Sequence, residues 1–268
     1  MIDLHCHILP GVDDGPATMA EAMQICRTAV ADGIRTMVAT SHYKPGSFTW
    51  SAAEQQASMD AVQREISAAN LPLTILPGSE IAFCPELPEL LNNGEHLTLN
   101  RSCYFLLEFR PQVVPATIER FLITQIEDGF LPIIAHPERN DWFAHHTDVL
   151  TALVRRGALL QITAGSLLGD FGPQARSFSQ QLLRNNLVRI MATDAHNCDD
   201  RPALMTRAVR AAAELIGIEQ ATALVTTNPQ AVINNIRLAL PETAGYLTTE
   251  SVSRPTSWVR RLFGSTSS

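Results

Sequence analysis

Two histidines one residue apart open this sequence, His5 and His7, with Cys6 between them and the carboxylate pair Asp13 and Asp14 a short loop later. In an extended strand alternate side chains share a face, so both imidazoles aim at one point and Cys6 points away. Imidazole nitrogen and carboxylate oxygen together suit a borderline divalent metal. A lone His-x-His arises by chance, so the weight falls on whether the same residue types recur at equivalent places downstream. They do. His42, Glu80, Glu108, His136 and the pair Asp194 and His196 each follow a short apolar, β-prone run. With His5, His7 and Asp14 these are too many donors for one ion and suit two or three ions sharing bridging carboxylates. His96, His145 and His146 fall outside this register and receive no role.

Motifs that are missing narrow the chemistry. No cysteine is followed six positions on by arginine, no Gly-x4-Gly-Lys-Ser/Thr loop occurs, and no Gly-x-Ser-x-Gly elbow occurs. Water is then the expected nucleophile, because a divalent metal lowers its pKa towards ~7. Arg139 stands behind His136, in His136-Pro137-Glu138-Arg139, and Arg201 stands behind His196. A guanidinium fork matches phosphate oxygens in pairs, which points to an anionic substrate. The plainer alternative is that each arginine bridges Glu138 or Asp200 at the surface.

The elements that must position these residues alternate strictly. Thr18 with Glu21, and Ser51 with Glu54, are capping boxes that open helices running to Gly33 and to about Asn70. Strands are expected at the first residues, at 36–40, 73–76, 104–107, 132–135, 159–162 and 188–193. Between them helices are expected from about Pro115 to Asp128, up to Arg156, from Pro173 to Asn185, and from Pro202 to Ile216 with further turns to about Asn235. The sixth strand offers no obvious ligand. Seven strands alternating with helices imply an α/β fold with parallel strands and right-handed crossovers, closing into a TIM-like (β/α)7 barrel whose strand ends share one mouth.

At 268 residues and 46% hydrophobic, the chain suits one large domain, expected over 1–240, followed by a Ser/Thr-rich tail over 241–268. The tail segment from Trp258 to Phe263 reads either as a docking element for a kinase or membrane or as a frayed end. A net charge of −7 argues against binding nucleic acid through its phosphates. Five scattered cysteines without Cys-x-x-Cys read as reduced thiols of a cytoplasmic protein. Asp3 and His5 interrupt any signal-peptide pattern, and no apolar run reaches the ~20 residues of a membrane helix.

The run from Asp3 to Pro16, Asp-Leu-His-Cys-His-Ile-Leu-Pro-Gly-Val-Asp-Asp-Gly-Pro, resembles the opening of the PHP (polymerase and histidinol phosphatase) superfamily. Its Asp-Asp-Gly-Pro ending is similar to that of the CpsB/YwqE-type bacterial tyrosine-protein phosphatases. Thr40-Ser41-His42, Gly78-Ser79-Glu80, Leu107-Glu108-Phe109, His136 to Arg139, Ala164 to Leu167 and Thr193 to Asn197 extend the resemblance to about residue 230. It implies a distorted seven-stranded barrel with three divalent ions, commonly Mn2+, with Fe, Zn, Co or Mg as alternatives. It implies hydrolysis of phosphotyrosine on a bacterial tyrosine autokinase that governs capsule or exopolysaccharide export. By the same resemblance one ion sits on His5, His7, Glu80 and Asp194. A second takes Glu80, Glu108 and His136, a third takes Asp14, His42 and His196, and Arg139 and Arg201 hold the phosphate. Asp199 is the candidate general acid.

Two rival readings stay open at this point. One keeps the metals and changes the substrate, giving a histidinol-phosphatase-like small-molecule phosphatase or a phosphodiesterase. The other is an inert metal-binding partner of the export kinase.

Overall fold

The computed structural model describes residues 1–94, 97–109 and 117–239. The expected tail over 241–268, His96 and the expected helix start at Pro115 lie outside these residues. Strands and helices run in the order β1 (Ile2–Cys6), α1 (Met19–Ala31), β2 (Thr36–Ala39), β3 (His42–Tyr43), α2 (Ala52–Ala68), β4 (Thr74–Pro77), β5 (Glu80–Ala82), α3 (Leu87–Asn93) and β6 (Tyr104–Glu108). They continue as α4 (Ile118–Glu127), β7 (Leu131–Ala135), α5 (Asp141–His145), α6 (Thr147–Arg156), β8 (Leu159–Thr163), α7 (Ala164–Leu168), α8 (Gly172–Arg184), β9 (Val188–Ala192), α9 (Thr206–Ile216), α10 (Ile218–Ala223) and α11 (Thr227–Ile233). Both capping boxes form: Thr18 and Ser51 each accept from the third helical N–H, and Glu21 and Glu54 reach back.

The strands pair in parallel in two sheets, one ordered β1-β2-β4 and the other β3-β5-β6-β7-β8-β9. The expected α/β fold with parallel strands is thus present, as nine strands in two sheets where seven in one barrel are expected. The difference arises at two breaks, Thr40-Ser41 between β2 and β3, and Gly78-Ser79 between β4 and β5. At the first, the Thr40 hydroxyl takes the N–H of Cys6 at 2.9 Å in place of a ladder carbonyl. At the second only glycine fits, since a Cβ on Gly78 would stand 2.6 Å from Val38 Cγ1 and 3.0 Å from Leu99 Cδ2. Beyond the breaks the chain resumes with His42 opposite Glu80, and Ala82 opposite Glu108. Backbone bonds from Asp194 N to His5 O (2.7 Å) and from His7 N to Ala195 O (2.8 Å) tie the end of β1 to the chain beyond β9.

Side-chain alternation divides the core into an inner and an outer layer. On β6, Tyr104 and Leu106 join the inner cluster with Ile133, Leu159 and Ile190, while Phe105 and Leu107 join the outer cluster under the helices. The amino ends of the strands are plugged by α11: Val232 enters the inner cluster, Asn100 Nδ2 donates to Ile233 O, and Tyr104 OH donates to Ile236 O. The carboxyl ends are left for the site.

Two helix boundaries differ from expectation. Helix α9 begins at Thr206 and not at Pro202, because Asp32 at the end of α1 accepts from Met205 N (2.6 Å) and Thr206 N (2.9 Å) and caps it from 173 residues away in sequence. The helix expected up to Arg156 is two, α5 and α6, the first capped by Asn140 accepting from Trp142 N and Phe143 N. Among the described residues no helix is long and apolar enough to cross a membrane.

Candidate metal centre

All nine candidate donors meet at the carboxyl end of the strands. His5, on β1, and His7, just past it, bring their Nε2 atoms within 3.3 Å of each other. His5 Nε2 lies 3.4 Å from Glu80 Oε1 and 3.2 Å from Asp194 Oδ1, and His7 Nε2 lies 3.5 Å from Glu80 Oε2 and from Asp194 Oδ1. Donors sharing one ion at about 2.0–2.2 Å stand roughly 3 to 3.5 Å apart, so this spacing matches a common cation. Glu80 reaches further, with His136 Nε2 at 2.8 Å from Oε1 and His42 Nδ1 at 3.0 Å from Oε2. Asp14 Oδ1 faces His42 Nε2 at 3.5 Å and His196 Nε2 at 3.4 Å.

The donors fall into overlapping groups: His5, His7 and Glu80; His5, His136 and Asp194; His42, Glu80 and Glu108; and His7, Asp14, His42 and His196. The third expected set is brought together with His7 added, and of the first set His5, His7 and Glu80 group, while Asp194 lies near His5 and His7 and groups with His5 and His136. The second differs: Glu108 groups with His42 and Glu80, and His136 groups with His5 and Asp194.

Two partners absent from the expected site hold imidazoles in place, and a third ties down the strand that carries His5. His7 Nδ1 donates to Asp13 Oδ2 at 2.7 Å, and the same oxygen accepts from His42 N at 2.8 Å. His5 Nδ1 donates to Gln161 Oε1 at 2.9 Å, so the sixth expected strand contributes after all. Both bonds place the proton on Nδ1 and turn the Nε2 lone pair to the cluster, the arrangement that metal-binding histidines need. Asp3 accepts from Thr193 N at 3.0 Å and from the Thr193 hydroxyl, which bolts β1 to the end of β9 beside Asp194. The polar Gln161 inside the apolar run Leu159–Ile162 was a readable signal, as was the doubled Asp13-Asp14.

His136 and Asp194 both adopt left-handed backbone, at φ 30° and 54°. Such conformations cost of order 1–3 kcal/mol for residues with a Cβ and cluster at functional sites. Here they turn each side chain inward just past the end of a strand.

The electrostatics are those of a negatively charged nest. Burial alone would lower His7, but hydrogen bonds to Asp13 and Glu80 outweigh it and hold the imidazole up at about 10. Burial raises Glu108 to about 7, reinforced by the charge of Glu80. Burial and Arg139 bring His136 down to about 4. Glu80 and Asp194 are buried, yet the surrounding histidines, joined at Asp194 by the two arginines, keep both well below the usual carboxylate range. Protons on imidazole here answer the same field that divalent cations would answer. The fit extends to single atoms: Asp194 Oδ1 and His196 Nε2 are buried without a hydrogen-bond partner, aimed into the cluster. The donor set therefore suits divalent cations.

Beside the donors stand both arginines. Arg139 Nη1 and Arg201 Nη2 converge on Asp194 Oδ2 at 2.8 and 2.6 Å, so neither bridges Glu138 or Asp200 at the surface. The ring of Phe171, unforeseen from sequence, lies 4.6 Å from Arg139 Cζ and 5.9 Å from Arg201 Cζ. Arg201 is carried by a tight loop in which Asn197 Oδ1 accepts from the N–H groups of Asp199, Asp200 and Arg201. Asp199 itself is exposed on that loop, and among the described residues its carboxylate has no hydrogen bond or ion pair to the cluster. His145 and His146 bond to carbonyls of their own helical turn, away from the donors.

Comparison with known proteins agrees with this geometry. The family model for capsular polysaccharide synthesis, CpsB/CapC, matches residues 1–234. The tyrosine-protein phosphatase YwqE of Bacillus subtilis (strain 168) is 40% identical over 201 residues, 75% of this chain and 79% of its own. The tyrosine-protein phosphatase CpsB of Streptococcus pneumoniae is 32% identical over 240 residues, 87% of this chain and 98% of its own. Among solved structures, a chain from the crystal structures of B. subtilis YwqE and S. pneumoniae CpsB, described as metal-dependent tyrosine phosphatases, superposes with a TM-score of 0.86. It is 35% identical and covers 92% of this chain and all of its own. Donor cluster, arginine pair and sequence similarity over 234 residues agree, and this chain belongs to the CpsB/CapC family.

Proposed function

We propose that this protein is a metal-dependent phosphatase that removes phosphate from phosphotyrosine on a protein. The observation that carries the reading is the meeting of Arg139 and Arg201 on one oxygen of Asp194, at the rim of nine clustered nitrogen and oxygen donors. Two guanidinium groups in a cation-binding nest are arranged to bind a phosphoryl dianion. Arg201 Nε is buried without a hydrogen-bond partner.

In this reading His5, His7, Glu80 and Asp194 would hold one divalent ion, Glu80, Glu108 and His136 a second, in which His136 reaches Glu80 at 2.8 Å, and Asp14, His42 and His196 a third, with manganese the proposed metal. Such ions lower the pKa of the attacking water and neutralise charge on the phosphoryl oxygens. The protein's own share is positional. Asp13 and Gln161 keep the Nε2 atoms of His7 and His5 turned to the cluster, and the arginines orient the phosphate and stabilise charge on its equatorial oxygens. A tyrosine phenol has a pKa near ~10, so the phenolate departs with little protonation, and the exposed Asp199 is not required as an acid. The substrate in the cell is proposed to be a bacterial tyrosine autokinase of capsule or exopolysaccharide export, met in the cytoplasm. The names of the CpsB and YwqE relatives and the capsular family description support that substrate class.

The test is phosphate release from a phosphotyrosyl peptide by metal-stripped protein reloaded with manganese, alongside metal analysis. Release that tracks metal content is expected. A fully metallated protein that releases none would sink the proposal.

A further inference from the structure

Beside the donor cluster lies a cavity of about 240 Å³ whose apolar wall the chemistry described so far does not use. One end is polar, formed by Glu108, His136 and Arg139, all part of the site, with Asn140 beside them. The remaining wall is largely apolar: Ala135, Phe109, Phe143 and Phe171. Its volume is below the ~300–1,000 Å³ of pockets that take drug-sized ligands, which suits a single ring. Two larger cavities, of about 390 and 530 Å³, open around Arg189 and around Arg35, and none of the nine donors lines either.

The aromatic wall is held in place from behind. Phe109 stacks on Phe83 at 5.4 Å between ring centroids and meets Phe143 edge-on at 5.5 Å. Phe143 is fully buried, and Asn140, on the cavity wall, spends its side-chain oxygen capping the helix that carries it. Phe171 comes to Arg139 because Gly165 makes room: a Cβ there would stand 3.2 Å from Phe171 Cε2 and 3.0 Å from Asp170 Oδ2. Arg139 is thus shared, its edge on Asp194 and its face under the Phe171 ring, with the cavity beside it.

We propose that this cavity is the subsite for the aromatic ring of the substrate, so that Phe109 and Phe171, backed by the buried Phe143, set a preference for aryl over alkyl phosphate monoesters. A phosphoryl group on Arg139 has its ester substituent next to this wall, where an aryl ring finds edge and face contacts that a seryl methylene cannot make. The inference rests on phosphate binding at the same arginines, and it adds a reason in the fold for selecting phosphotyrosine over phosphoserine that is separate from leaving-group chemistry.

Phosphonates that cannot be hydrolysed separate ring binding from leaving-group reactivity. Dissociation constants of phenylphosphonate and methylphosphonate are measured by calorimetry on the manganese-loaded protein. Methylphosphonate reads the phosphate anchor alone, and the ratio of the two reads the ring. The expected ratio is on the order of tenfold in favour of phenyl. Phe109→Leu, which takes one aromatic ring out of the wall, should lower the ratio with methylphosphonate binding retained. Phe171→Ala, which removes part of the wall, should lower the ratio whatever it does to the anchor, and serves if the first variant does not fold. A ratio near one in the unmodified protein, or an unchanged ratio in the folded variants, overturns the subsite. Preference for phenyl in a protein that releases nothing from a phosphotyrosyl peptide would leave the subsite standing and remove the proposed function. Release without preference would do the reverse.

Discussion

Replacing Asp13 by asparagine tests whether the cluster is built to hold cations. Asp13 is not among the nine donors, yet its Oδ2 accepts from His7 Nδ1 at 2.7 Å and His42 N at 2.8 Å, and its Oδ1 accepts from Gly15 N at 3.0 Å. A carboxylate can accept all three bonds. An amide cannot: with its oxygen towards the histidines, its NH2 opposes the Gly15 N–H, and with the amide reversed, the NH2 opposes both histidine groups. Gly15 has no space to retreat, since even a Cβ there would stand 2.9 Å from His7 O. One buried donor left facing another costs about 1–3 kcal/mol. Because His7 Nε2 faces Glu80 and Asp194, that cost appears at the metal. Loss of such an outer partner weakens binding roughly 10- to 100-fold, about 1.4 to 2.8 kcal/mol. Calorimetric titration of metal-stripped Asp13→Asn with manganese measures it, with circular dichroism as the check on folding. Affinity and stoichiometry within twofold of the unmodified protein would refute the argument that Asp13 sets the tautomer and aim of His7.

Three further outcomes are expected. Arg139→Ala and Arg201→Ala should each lower turnover of an aryl phosphate by about 10²- to 10³-fold while metal content, read by elemental analysis, is retained. Gly78→Ala forces a Cβ against Val38 and Leu99 at the break before Glu80, and should cost about 1–3 kcal/mol in urea unfolding. The third outcome concerns pH. Glu108 keeps its proton up to about 7 in the metal-free protein, and a cation needs the carboxylate, so manganese affinity should fall as pH drops through that value. Loading about one pH unit below it should therefore release an additional proton compared with loading one unit above, measured by calorimetry in buffers of different ionisation enthalpy. Glu108→Gln should reduce the difference, since the histidine donors still release protons in this range, and an unchanged difference in that variant would contradict the assignment of the additional proton to Glu108.

Local sequence determined a good deal of this protein. The capping boxes at Thr18 and Ser51, the apolar runs that become β6, β7, β8 and β9, and the acidic and histidine residues at strand ends were all legible, because caps and strand periodicity depend on neighbours within about four residues. Tertiary structure alone decided the breaks that divide the strands between two sheets, since what excludes a side chain at Gly78 is Val38 and Leu99. It also decided that Asp32 caps α9, that Gln161 and Asp13 aim His5 and His7, and that Phe171 lies over Arg139. Each of these contacts joins groups whose proximity depends on the course of the backbone between them. A residue type announces what it can bond to, and only the folded chain brings its partner within reach.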